Sequence, residues 1–167
     1  MEAGRTELPA ALDLVAPLEG EVIAQFGAEG LSPGLVTQSF GAEAWARVEP
    51  GRILCSFHGT EANFYFPVVS DPRLLPLQRG VHYEAVLRYG VSRNDPQTPL
   101  RLSFGARTTE GGWRKDVGVR YFQAAEGATG EIRTQFVPKD YDDYFLYLSM
   151  NGSGDLWVES LTLKKAP

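Results

Sequence analysis

The chain has 167 residues, 43% of them hydrophobic, enough for one domain with a sizeable core and with no linker-like stretch to divide it. Its formal net charge of −5 argues against a nucleic-acid binder, which needs a basic excess. One cysteine excludes an intrachain disulfide, and with only His58 and His82 beside it a zinc site is nearly excluded.

Residues 1–10 read as a tail, followed by a single domain over 11–167. The N-terminal stretch carries Glu2, Arg5 and Glu7 and lacks the apolar core of a signal peptide; no later segment is apolar for long enough to cross a membrane. Alternation then begins. Leu12 and Leu14 flank Asp13, and Val22, Ala24 and Phe26 alternate with polar neighbours, as short strands do. Residues 27–34 predict a loop from their Gly and Pro content. Strands are predicted at 42–48, 52–58, 62–70, 81–92, 100–108, 117–123, 130–137, 143–150 and 155–163. Gly, Pro and Asn breakers separate most of them, from Pro50-Gly51 to Asn151-Gly152-Ser153-Gly154. No stretch has a helical period of useful length; 70–79 holds at most one turn.

The alternation is sharpest in the second half. Tyr83, Ala85, Leu87, Tyr89 and Val91 share one face of 81–91, and Leu100, Leu102, Phe104 and Ala106 one face of 100–107. Ile132 and Phe136, then Leu146, Leu148 and Met150, then Leu156 and Val158 continue the pattern. Leu161 and Leu163 resume it only after a shift of register that predicts a bulge. One apolar face per strand predicts an all-β fold of two antiparallel sheets packed on a shared core. Cys55, inside Ile53-Leu54-Cys55-Ser56-Phe57, reads as a small buried hydrophobe. Trp45, between two alanines, reads as core.

Residues 77–163 also resemble a known family. The run Leu77-x-x-Gly80-Val81-x-Tyr83-x-Ala85-x-Leu87 resembles a strand of the jelly-roll carbohydrate-binding modules, which are galactose-binding-domain-like β-sandwiches. Phe136-Val137-Pro138, Leu146-x-Leu148 and Gly154-Asp155-Leu156-Trp157-Val158-Glu159-Ser160-Leu161-Thr162-Leu163 resemble the family's final strands. About half the chain is covered well, mostly at core positions. The resemblance implies a β-sandwich jelly roll, a non-catalytic role in binding an oligo- or polysaccharide, and a place within a larger glycan-processing or cell-surface protein. A secreted or cell-surface setting goes with it. It also implies, in many members, a structural calcium ion. The family commonly has Asp where this chain has Glu159, the one metal ligand nameable here, and the longer arm shifts the geometry.

Sugar recognition uses flat aromatic faces with polar groups beside them. By alternation Trp157 and Tyr147 face away from the core and are candidates for a platform, with packing under neighbours as the alternative. Trp113 lies in the polar loop Thr108 to Asp116 and could bind or cover a sheet edge. Arg88, Arg101, Arg107, Arg120 and Arg133 recur on outward faces; they could form a basic strip for an acidic glycan, or pair across strands with Glu84, Glu131 and Glu159. The candidate ligand-binding set is thus Trp157, Tyr147, Trp113, Arg101, Arg133, Arg88 and Glu84. A catalytic reading needs a carboxylate pair, such as Glu84 with Glu159 or Asp155, whose spacing the sequence leaves open. The competing non-catalytic reading is a structural or protein-interaction jelly roll without a glycan ligand.

Overall fold

The computed structural model describes residues 16–108, 115–122 and 125–167. Among the described residues twelve strands run β1 (Glu21–Gly27), β2 (Gly30–Leu31), β3 (Leu35–Thr37), β4 (Ala44–Glu49), β5 (Arg52–His58), β6 (Phe64–Ser70), β7 (Tyr83–Asn94), β8 (Arg101–Thr108), β9 (Lys115–Phe122), β10 (Thr129–Phe136), β11 (Phe145–Asn151) and β12 (Ser153–Lys165). The described residues contain no helix. At Asp71 the carbonyl accepts from the Leu74 and Leu75 amides, making the single turn foreseen in 70–79.

The strands form two antiparallel sheets. A seven-stranded sheet orders β10-β7-β12-β1-β2, with β5 also on β12 and β4 on β5. A five-stranded sheet orders β3-β6-β11-β8-β9. β12 is the spine of the larger sheet: β7 pairs along one edge, while the other edge meets β5 through Ser153–Val158 and β1 through Leu161–Lys165. The handover is at Glu159, where the register against β7 shifts between Val158 and Ser160. This is the predicted bulge, and it returns Leu161 and Leu163 to the core side.

Between the sheets lies one core. Phe26, Ile53, Cys55, Leu87, Val91 and Val158 from the larger sheet meet Leu102, Phe104, Leu146, Leu148 and Met150 from the smaller. Cys55 is buried and unpaired, and burial pushes its thiol pKa up, away from a reactive thiolate. Tyr83 is buried as predicted and stacks on Phe136 with ring centroids 5.7 Å apart.

Three expectations change or fall outside. Residues 27–34 are not wholly loop, because Gly30–Leu31 folds back on Phe26 and Gly27 as β2. Trp45 is not in the core: it pairs with Ser56 on the outer face of the larger sheet, with the Arg47 guanidinium 5.2 Å from its ring centroid. The tail and the candidate strand at 12–14 lie outside the described residues.

The sandwich closes where the sheet edges β9 and β10 meet. The Thr134 hydroxyl donates to the Gly118 carbonyl, and Arg120 Nη1 donates to the Arg133 carbonyl at 2.8 Å. Gly118 is required here. Its φ is +64°, and a Cβ would come within 2.6 Å of the Phe136 Cβ.

Candidate functional site

The outer faces of the two sheets differ in kind. That of the larger sheet is paired up. Arg88 lies 3.7 Å from Glu131, and Arg133 lies 3.0 Å from Glu84 and 3.9 Å from Glu131. Arg93 contacts Asp155 at 3.2 Å, and the Ser56 hydroxyl donates to Asp155 at 2.6 Å. The arginines here therefore complete cross-strand pairs rather than an open basic strip.

Glu84 departs furthest from its expected role. Its side chain is 1% exposed. The N-terminal segment crosses over it: the Leu18 amide donates to Glu84 at 3.0 Å, Gln135 at 2.9 Å and Arg133 at 3.0 Å. Burial pushes the carboxyl pKa up, but these donors and the Arg133 charge together hold it below its ordinary value. Asp155 is held down in the same way, against burial, by Arg93 and Ser56. Both carboxyls are thus held below the ordinary carboxylate range, whereas the general acid of a glycosidase is held above it. Glu84 is thus a clamp on the N-terminal segment, not a surface ligand group.

Trp157 is half-buried on this face, lying over Gly90. Tyr147, expected as an exposed platform beside it, is on the other sheet and 1% exposed. Its ring meets Phe66 at 5.1 Å, and the Arg107 guanidinium lies 4.5 Å from the Tyr147 centroid and 4.6 Å from that of Phe66. Arg107 Nε is 3.2 Å from Asp116, close enough to pair ionically although its N–H does not point along a hydrogen bond. The alternation was right that Tyr147 faces away from the core; what covers it comes from β6 and β8.

Trp113 lies outside the described residues. Glu159 is exposed on the bulge, and among the described residues no three His, Cys, Asp or Glu side chains gather to hold a metal ion. Three aspartates in the loop between β10 and β11 are likewise paired: Asp140 with Lys115 at 3.2 Å, Asp142 with Arg79 at 3.6 Å, and Asp143 accepting from Thr108 at 2.7 Å.

The outer face of the five-stranded sheet is different. Phe64 on β6 is 59% exposed and Tyr121 on β9 is 76% exposed. Register puts Phe64 opposite Asn151 and Asn151 opposite Arg101, with Ser149, Ser103 and Tyr121 in the next row. At about 4.8 Å between strands, the two rings stand on the order of 14 Å apart across the sheet. Together with Arg101, Ser103, Ser149 and Asn151 they line a hollow of about 180 Å³. Its floor is polar: the Ser103 and Ser149 hydroxyls are hydrogen-bonded to each other. Asn151 Nδ2 donates to the Glu61 and Asn63 carbonyls at 2.7 Å each, fixing the loop that delivers Phe64. A second hollow of about 450 Å³ lies on the same face, lined by Val36, Phe66, Val69, Arg73, Arg107 and Phe145 among others.

Of the residues predicted from sequence, then, only Arg101 lies in this hollow. Trp157, Arg133, Arg88 and Glu84 belong to the opposite sheet, and Tyr147 is packed under its neighbours. Phe64 and Tyr121 went unread because Phe64-Tyr65-Phe66 and Tyr121-Phe122 put an aromatic on both faces, so period two does not choose the exposed one.

In sequence the chain matches no protein-family model and no curated protein. Its structure does have relatives. It is similar to a portion of Clostridium thermocellum endo-1,4-β-D-xylanase 10B that contains a family 22 carbohydrate-binding module and is complexed with xylohexaose. There the identity is 12% and the TM-score 0.59, over 90% of this chain and 29% of that one. It is similar to the family 22 xylan-binding domain of Paenibacillus barcinonensis Xyn10C, at 10% identity and a TM-score of 0.57, over 90% of this chain and 98% of that one. A family 29 carbohydrate-binding module matches at 11% identity and a TM-score of 0.53, over 89% and 87% of the two chains. At such identities what is shared is the fold: the chain is built as a jelly-roll β-sandwich, the architecture these structures have in common with it.

Proposed function

We propose that the protein is a non-catalytic carbohydrate-binding domain and that it takes an oligo- or polysaccharide on the outer face of its five-stranded sheet. The observation that carries this is the pair of exposed rings, Phe64 and Tyr121, flanking a polar floor of serine, asparagine and arginine. A pyranose has an apolar face that a ring can cover and a hydroxyl rim that needs donors and acceptors beside it. The hollow supplies both, whereas on the outer face of the larger sheet Arg88, Arg93 and Arg133 are engaged by Glu131, Asp155 and Glu84. The relatives support the reading by their ligands, since one is complexed with xylohexaose and another is a xylan-binding domain. In this reading the domain serves a larger glycan-processing or cell-surface protein as an accessory module.

The test is a glycan array followed by titration calorimetry on a hit. Phe64→Ala and Tyr121→Ala should each weaken binding roughly 5- to 150-fold, equivalent to about 1–3 kcal/mol for a lost aromatic anchor. Both side chains are largely exposed, so both variants should melt close to the parent. Full affinity in two folded variants would remove this face, and an array without hits would favour a structural or protein-interaction role.

A further inference from the structure

Every other arginine among the described residues has an oxygen partner. Arg47 and Arg52 meet Glu49, Arg73 meets Asp71, Arg79 meets Asp142, Arg88 meets Glu131 and Arg93 meets Asp155. Arg107 meets Asp116, Arg133 meets Glu84, and Arg120 donates to a backbone carbonyl. The Arg101 side chain alone has neither hydrogen bond nor ion pair, and it stands exposed in the hollow between Phe64 and Tyr121. Among the described residues no acidic side chain lines that hollow. In a chain with a net charge of −5, carboxylates are plentiful, yet this guanidinium is left without one at the place where aromatic rings are also exposed.

We propose that the glycan bound here is acidic, and that Arg101 receives the carboxylate of a hexuronate unit lying over the Ser103–Ser149 floor between the rings of Phe64 and Tyr121. The proposal rests on the glycan-binding reading of this face and names its substrate class. A guanidinium presents parallel N–H donors that match the two oxygens of a carboxylate, a fit that a single hydroxyl does not use. With no internal carboxylate competing, the charge is available to the ligand. Arg107 shows the contrast: roughly 20 Å further along β8 at about 3.3 Å per residue, it is held by two rings and Asp116. A lone guanidinium, rather than a cluster, also suits one planar carboxylate better than a row of sulfates.

The experiment is titration calorimetry at low and raised salt with matched probes. These are an oligogalacturonide, a glucuronoxylan oligosaccharide, the same two after carboxyl reduction, a neutral xylo-oligosaccharide and a sulfated galactan oligosaccharide. At low salt at least one uronate should bind about tenfold or more tightly than its reduced partner, and the ratio should shrink as salt screens the pair. Arg101→Gln, checked for an unchanged melting temperature, should bring that ratio near one, while Arg101→Lys should keep part of it. Equal binding of acid and reduced probes by the parent, a ratio that survives Arg101→Gln, or a preference for the sulfated probe would each overturn the proposal. If the neutral probe binds, loses affinity in Phe64→Ala and is indifferent to Arg101→Gln with no uronate preference, the acidic class falls and the glycan reading stands. Absence of binding to every probe removes both.

Discussion

The ring of Trp157 lies so close to the backbone of Gly90 that a Cβ there would come within 2.1 Å of it. The two residues are register partners on β12 and β7, so the glycine is the seat on which the indole rests. Trp157 is therefore half-buried by its own sheet, with Leu54 as its register partner on β5. Gly90→Ala should destabilise the protein by about 1–3 kcal/mol through overpacking, or push the ring outward. Urea melts and a red shift of tryptophan emission would report the two cases. Trp157→Ala should likewise cost stability on this scale while leaving affinity for any glycan unchanged. A folded Trp157→Ala variant that had lost glycan affinity would return the site to the larger sheet.

Tyr83 joins the core to a loop. Its ring packs on Phe136, and its hydroxyl accepts from the Gln78 amide at 2.8 Å. Tyr83→Ala should cost about 3–5 kcal/mol, as for a buried aromatic. Tyr83→Phe should cost nearer 1 kcal/mol, the size of one hydrogen bond. Chemical denaturation of both variants would separate ring from hydroxyl, and a Tyr83→Ala change within about 0.5 kcal/mol would contradict its burial.

The Glu84 clamp should make stability depend on acidity. The folded protein holds this carboxyl below the ordinary glutamate pKa of 4.5. As the medium becomes more acid the unfolded chain then takes up a proton first. The clamp's contribution is thus complete above about pH 4.5 and is lost as pH falls below that value toward the folded one. Glu84→Gln should lower the urea midpoint near neutral pH and flatten its fall in acid. Arg133→Met removes the partner of a buried charge and should cost about 3 kcal/mol at neutral pH. If the parent and Glu84→Gln fell in parallel between pH 5 and pH 3, the acid limb would have another origin.

Asn151, besides lining the hollow, positions the loop that carries Phe64. Its amide holds the carbonyls of Glu61 and Asn63, immediately before Phe64. Asn151→Ala leaves those carbonyls without their donor and should cost about 1–2 kcal/mol. Amide exchange over residues 60–64 should quicken while exchange in β7 and β12 stays as in the parent. Glycan affinity should fall, but by less than in Phe64→Ala, because the ring is still present. Unchanged exchange in this loop would show that Asn151 is not what holds it.

Much of this protein is legible in its residues taken in order. Period two assigned Tyr83, Ala85, Leu87, Leu102, Phe104, Leu146 and Leu148 to the buried face, and each is buried. The shift after Val158 announced the bulge at Glu159. These are local properties: in a pleated strand the side of each residue follows from its neighbours alone. Alternation, however, tells a residue's face only relative to its own sheet. Trp157 and Tyr147 both point away from the core, yet they stand on opposite sheets, because β12 pairs with β7 whereas β11 pairs with β8. Glu84 looked like an exposed acid until Leu18, 66 residues earlier, was laid across it. Phe64, Arg101 and Tyr121 are far apart in sequence and become one hollow only through the ladders β6-β11-β8-β9. Strand polarity follows from short-range stereochemistry, and the residues' order alone determined it. Which strands are neighbours follows from burying the most apolar surface with every ladder hydrogen bond made, which only the whole chain, folded, decides.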